Sequence, residues 1–135
     1  MSEEHNFEII ATKGLSVNKK EELARKLSVS LSVSLDYLNR QVAEENTVFF
    51  ISKKGDKPIG FIIGAVGENW VHLALIKAFP SVSFFKAHKK TVGTFLNEKF
   101  QSYAKSNSLK ISMSPRTPAG RKFFTRPSNQ HLRRK

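Results

Sequence analysis

The sequence contains no cysteine. Disulfides, a thiolate nucleophile and a thiolate zinc site are therefore excluded, which suits a reducing compartment without requiring one. The four histidines, His5, His72, His88 and His131, show no His-x-x-x-His spacing, so no metal site is expected. Long hydrophobic runs are missing as well: the longest, Ile59 to Val66, is too short to span a bilayer. The first residues, Met-Ser-Glu-Glu-His, lack the basic-then-apolar order of a signal peptide, and a soluble, cytoplasmic protein is expected. No Ser/His/Asp constellation and no complete glycine-rich nucleotide loop can be found. Acidic residues fail in one region above all, with none from Lys99 to Lys135.

What is present suits one compact domain. The chain has 135 residues, 39% of them hydrophobic, and 11 phenylalanines, enough to build a core. A single domain over residues 1–127 is expected, followed by a basic tail, 128–135. Net charge is +12, and it is unevenly spread: residues 1–50 hold six basic and eight acidic side chains, residues 51–135 seventeen and three. Such an imbalance points to an acidic partner: nucleic acid, an anionic cofactor, an acidic protein or a membrane surface, with nucleic acid or an acidic protein expected.

The periodicities predict the elements. Phe7 to Thr12 reads as a first strand. Ser16 can cap a helix whose face is Leu23, Leu27, Leu31, Leu35, Leu38 and Val42. The middle of that run, Leu27 to Leu35, also alternates strictly and is open to a strand reading. Its helix-forming flanks favour helix, with a break near Ser34 and Asp36 as a second cap. Thr47–Lys53, Pro58–Val66 and Trp70–Phe79 are spaced as an antiparallel meander. A helix over Thr94–Ser106, a short strand Leu109–Met113 and a last helix Ala119–Arg126 complete the order. The fold class expected is α/β or α+β, a mixed and mainly antiparallel sheet flanked by helices.

Between the third meander strand and the following helix lies His88-Lys89-Lys90-Thr91-Val92-Gly93-Thr94. A basic segment running into a helix start suits an anion, because the first backbone N–H groups lack helical partners and the helix dipole favours negative charge there. A second arrangement stays open: the helix starts near Ser83, and Phe84, Phe85, His88, Val92, Phe95 and Leu96 form one long apolar face.

Three pieces of sequence resemble the GNAT N-acetyltransferase superfamily, and the element order is similar over roughly residues 7–126. Lys57-Pro58-Ile59-Gly60-Phe61 is similar to the start of that family's third strand. His88 to Gly93 lies where the family has Gln/Arg-x-x-Gly-x-Gly/Ala, with His88 at the Gln/Arg position, Thr91 at the first Gly and Gly93 kept. Ala119 to Arg126 looks like its last helix, with Phe124 in place of the usual Tyr. The resemblance implies an acetyl-coenzyme A-dependent N-acyltransferase. It implies that His88, Lys89, Lys90, Thr91, Val92, Gly93 and Thr94 hold the pyrophosphate, and that the edge of the Trp70–Phe79 strand polarises the thioester carbonyl. His72, expected to share a strand face with Trp70, Ala74 and Ile76 opposite Val71, Leu73 and Leu75, is the candidate general base. Tyr103, at helical spacing from Phe95, Leu96 and Phe100, reads as core.

The basic half supports an alternative, a non-catalytic GNAT-like module. Lys110, Arg116, Arg121, Lys122, Arg126, Arg133, Arg134 and Lys135 could neutralise phosphates of a nucleic acid or pair with an acidic protein. An open cleft ending at Gly93 would favour the enzyme; one filled by Phe84 or Phe85 would favour the binding module.

Overall fold

The computed structural model describes residues 5–113. The expected last helix, Ala119–Arg126, and the basic tail lie outside the described residues, as do Arg116, Arg121, Lys122, Arg126, Arg133, Arg134 and Lys135. The described elements run β1 (His5–Ala11), α1 (Val17–Leu31), α2 (Leu35–Ala43), β2 (Thr47–Lys54), β3 (Lys57–Val66), β4 (Trp70–Ala78), α3 (Val82–His88), α4 (Val92–Ser106) and β5 (Lys110–Met113).

The ambiguous serine-leucine stretch is helical. The Ser16 hydroxyl accepts from the Lys19 N–H, and Ala24, Leu27 and Leu31 bury one face. The helix ends because Ser32 turns left-handed, with φ 55°. Ser34, not Asp36, caps α2 by accepting from the Tyr37 N–H. Asp36 falls instead in the first turn, where its charge suits the dipole.

The five strands form one sheet in the order β1-β2-β3-β4-β5. The first three pairings are antiparallel; β4 and β5 pair parallel, as a strand reached by a helical crossover requires. The sheet is covered on both faces. α1 and α2 pack over Phe49, Ile51, Phe61 and Ile63. The other face presents Val48, Phe50, Ile62, Val71 and Leu73 to Val92, Leu96 and Phe100 of α4. Tyr103 joins this second layer, its ring 5.2 Å from that of Phe50.

Two features of the sheet position the helices packed on it. First, β3 pairs Ile63 with Leu75 but Gly64 with Leu73, so Ala74 is an extra residue, a β-bulge. It resets the alternation of β4. Val71 and Leu73 face α4, Ala74 and Leu75 pack with the α1/α2 layer, and Ile76 and Ala78 return to the α4 layer. The unbroken alternation expected from the sequence, which grouped Ile76 with His72 and Leu75 with Val71, is thus corrected at one residue. Second, α4 lies directly on two glycines of β3. A Cβ on Gly60 would stand 2.7 Å from Val92 Cγ1 and 3.1 Å from Leu96 Cδ1, and one on Gly64 would stand 3.2 Å from Phe100 Cε1. Val92, Leu96 and Phe100 are four residues apart on one helix face, so the glycine pair fixes both the depth and the axial position of α4.

Candidate functional site

The first turn of α4 is pinned between the start of β3 and the end of β4, since Val92, Gly60 and Ala78 converge there. Phe79 makes the last sheet contact, its N–H donating to the Ile59 carbonyl at 2.9 Å. Pro80 then leads out of the sheet. The Ser81 hydroxyl starts α3 by accepting from the Phe84 N–H. α3 and α4 are separate helices: Lys89 closes α3 in a left-handed conformation (φ 61°), and Thr91 caps α4 by accepting from the Thr94 N–H. The helix expected at Thr94 therefore begins at Val92, and the segment before it is largely helical. The continuous apolar helix from Ser83 is likewise broken, at Lys89.

The strand end, α3 and the start of α4 enclose an open cavity of about 720 Å³, within the usual range for small-ligand sites. Its lining includes Phe79, Pro80, Val82 and Phe85 as apolar wall, Lys86 and Lys89 as cations, and Thr91, Val92 and Gly93 at the helix start. No acidic residue is among the described lining. Phe79, Val82 and Phe85 are all exposed large apolar side chains, and their gathering around one cavity sets them apart from scattered surface hydrophobics. Phe84, by contrast, is buried beneath α3, so neither phenylalanine closes the cavity.

Of the residues expected to bind the cofactor, the structure brings Lys89, Thr91, Val92 and Gly93 to this cavity. Three others are engaged elsewhere. The His88 ring stacks on Phe84 at 4.2 Å and 29° and lies 5.4 Å from Phe95 and 5.8 Å from His5, inside an aromatic cluster under α3. Lys90 turns to Glu98, at 2.5 Å. The Thr94 hydroxyl and N–H are both bonded to the Thr91 hydroxyl. Sequence reasoning missed Phe79, Ser81, Val82, Phe85 and Lys86. A signal was available, because Val82, Phe85, Lys86 and Lys89 follow the i, i+3, i+4, i+7 spacing of one helix face.

His72 sits near the other end of β4. Its Nδ1 and the Ser112 Oγ of β5 share a 3.1 Å hydrogen bond across the parallel pair. With Ala65, Asn69, Trp70 and Lys110 these two line a second cavity of about 540 Å³. His72 and Ala78 are six positions apart along the strand, about 20 Å of extended backbone. Between them the β4–β5 pairing stops at Leu73↔Met113, and among the described residues Leu75–Ala78 pair with β3 alone, with Ala74 the bulged residue. That half of β4 offers a row of backbone donors and acceptors to an extended ligand.

No protein-family model matches the sequence, and no curated protein matches it. Solved structures do match in fold. A ribosomal-protein-alanine N-acetyltransferase from Brucella melitensis biovar Abortus 2308 superposes with a TM-score of 0.62 at 13% identity, over 90% of this chain and 88% of the other. An aminoglycoside N-acetyltransferase in complex with CoA gives 0.60 at 11% identity, over 100% and 91%. A predicted acetyltransferase from Clostridium acetobutylicum with acetyl-CoA gives 0.54 at 12%, over 90% and 86%. The chain has the GNAT fold, as its motifs led us to expect.

Proposed function

We propose that this protein binds an acyl-coenzyme A and transfers the acyl group to an amine. The observation that carries the reading is the cavity at the junction of β4, α3 and α4, with Lys86, Lys89 and the start of α4 on its wall. The chemistry of this lining fits the cofactor: cations and helical N–H groups suit its phosphates, and the phenylalanines and Val82 suit its less polar parts. When bound, the cofactor would supply an activated acyl thioester.

The chain's own residues have the following parts. Lys86 and Lys89 hold phosphate oxygens as point charges. The N–H groups of Val92 and Gly93, which precede the first helical hydrogen bond from Phe95 to the Thr91 carbonyl, add directional donors. The edge of Leu75–Ala78, which has no second strand partner among the described residues, orients an extended ligand by main-chain hydrogen bonds. His72 is the candidate base. When its Nδ1–H donates to Ser112, the lone pair lies on Nε2, where it can take a proton from an amine. Isothermal titration with acetyl-coenzyme A tests the first requirement: micromolar binding is expected, and no heat at millimolar ligand would remove the proposal.

A further inference from the structure

We propose that the cavity where β4 begins is a binding site for one nucleotide of a single-stranded nucleic acid, with the base stacked on Trp70 and its phosphate held by Lys110. The site is at the opposite end of β4 from Lys86 and Lys89. The inference does not rest on the acyl-transfer reading, since it requires no cofactor.

The first observation is how Trp70 is held. It is the only tryptophan in the chain, yet 40% of it is exposed on a strand whose neighbours Val71 and Leu73 are buried. It is not loose. A Cβ on Gly67 would stand 2.1 Å from Trp70 Cε2, 2.4 Å from Nε1 and 2.5 Å from Cζ2. The nearest atom is the ring-fusion carbon, with its two bonded neighbours slightly farther. That is the pattern of a point above the ring plane; an in-plane approach from that side would meet Nε1 first. One indole face therefore lies against the bare backbone of Gly67. The Gly67 N–H also donates to the Trp70 carbonyl at 2.7 Å, closing the turn that carries both. An indole locked by one face, and lining a cavity, is a stacking platform that loses little freedom on binding.

The second observation is what surrounds the platform. Trp70 is the register partner of Lys110, and His72 of Ser112. The cavity thus sets one cation beside the ring, with the His72–Ser112 pair and Asn69 as hydrogen-bonding groups for a base edge. Its volume, about 540 Å³, admits a nucleoside. An aromatic face, a cation and convergent polar groups are the parts used to bind single strands.

The third is charge. β5, which carries Lys110, leads directly into the sequence 114–135, with seven Lys/Arg and no acidic residue. The charge of the sequence after Met113 is thus wholly positive, and net positive charge raises the attraction of a polyanion to the chain. An acidic peptide would satisfy the lysines equally but leave the indole without a stacking partner, and for that reason nucleic acid is favoured.

The test uses the full chain and an oligothymidylate of about 12 nucleotides, a length in the range of single-strand sites. Because Trp70 is the sole tryptophan, its fluorescence reports this cavity alone. Saturable quenching that follows the anisotropy of the end-labelled oligonucleotide is expected. Trp70→Leu should weaken binding about ten-fold, the scale of one base–aromatic stack, and Trp70→Phe much less. Lys110→Gln should flatten the slope of log K against log salt by about 0.7, one phosphate on a single strand. Anisotropy that rises with no change in fluorescence would place binding elsewhere and overturn the proposal. Equal quenching by polyglutamate would assign the cavity to an acidic protein instead, and no binding at about 20 mM salt would exclude a nucleic-acid site. The first measurement needs only the unaltered protein, so a variant that fails to fold does not weaken it.

Discussion

Where β4 ends, the chain builds a cavity from phenylalanines, a proline and two valines, with two lysines on its wall. Where β4 begins, it builds one from an indole, an imidazole, a hydroxyl, an amide and a single lysine. One strand of nine residues serves both. The difference comes from what lies beside it. At its start β4 is paired with β5, whose alternation places Lys110 and Ser112 beside Trp70 and His72. At its end, among the described residues, it pairs with β3 alone and is roofed by α3, whose exposed face is apolar and basic. The bulge at Ala74 separates the two regimes while keeping both ends of the strand packed on α4. A strand can therefore carry two differently lined cavities if its neighbour changes partway along.

Perturbing one end and reading the other tests that separation. The largest effect is expected from Gly60→Val. Even a Cβ there would be 2.7 Å from Val92, so the first turn of α4 must shift. Denaturant unfolding should show a loss of about 2–3 kcal/mol from overpacking, with acetyl-coenzyme A binding lost in parallel. Trp70 emission in the folded protein should stay unchanged; a large spectral shift would mean that the ends are mechanically coupled. Gly67→Ala is the converse. A methyl group 2.1 Å from the indole must displace it, so emission should move, with a stability loss of about 1 kcal/mol. Acetyl-coenzyme A affinity should be retained.

Smaller effects divide the lysines. Replacing Lys86 and Lys89 together by Ala should weaken acetyl-coenzyme A binding about ten-fold, or ~1.4 kcal/mol. The same replacement should leave oligonucleotide quenching of Trp70 intact. Lys90→Ala should do least. Its partner is Glu98, with 36% and 50% of the two side chains exposed, and such pairs contribute about 0–1 kcal/mol. Cofactor affinity should change less than about twofold, well below the effect at Lys86 and Lys89. If Lys90→Ala matched the double variant, the division of roles along this segment would be wrong.

The fold was readable from sequence because its signals are local and repeated. Apolar spacing of four marks α1 and α2, two turns with glycine mark the meander, and Ser16 has the cap chemistry its position demands. Structure was needed wherever one residue changes a phase. The bulge at Ala74 leaves no mark in the alternating sequence of Trp70–Ala78, since the extra residue is a small apolar one that suits either face. Lys89 in a left-handed conformation splits α3 from α4, but lysine does not advertise that conformation as glycine would. The candidate site was legible in part. A basic helix start identified Lys89 and Thr91 to Gly93, whereas Phe85 and Lys86 reach the cavity only because α3 exists. His88 was drawn away by Phe84, Phe95 and the sequence-distant His5, and Lys90 by Glu98 eight residues on, pairings that the loop motif does not reveal. The β4–β5 register that sets Trp70 beside Lys110 spans forty residues and follows from topology alone.

The parallel placement of β5 has a consequence in time. Strands β2, β3 and β4 are joined by turns of a few residues and can zip together in succession, each closing a short loop. β5 can be laid down only after the whole stretch from Phe79 to Leu109 has crossed the sheet, and contacts between residues so far apart in the chain form slowly. By that measure the rungs from Trp70↔Lys110 to Leu73↔Met113, forty residues apart, are slow to form, as are the β1–β2 rungs, whose partners lie 37 to 49 residues apart. Anything that bridges β4 and β5 at that end would act as a clasp on the finished molecule, and its occupancy would be felt as added stability of the whole chain.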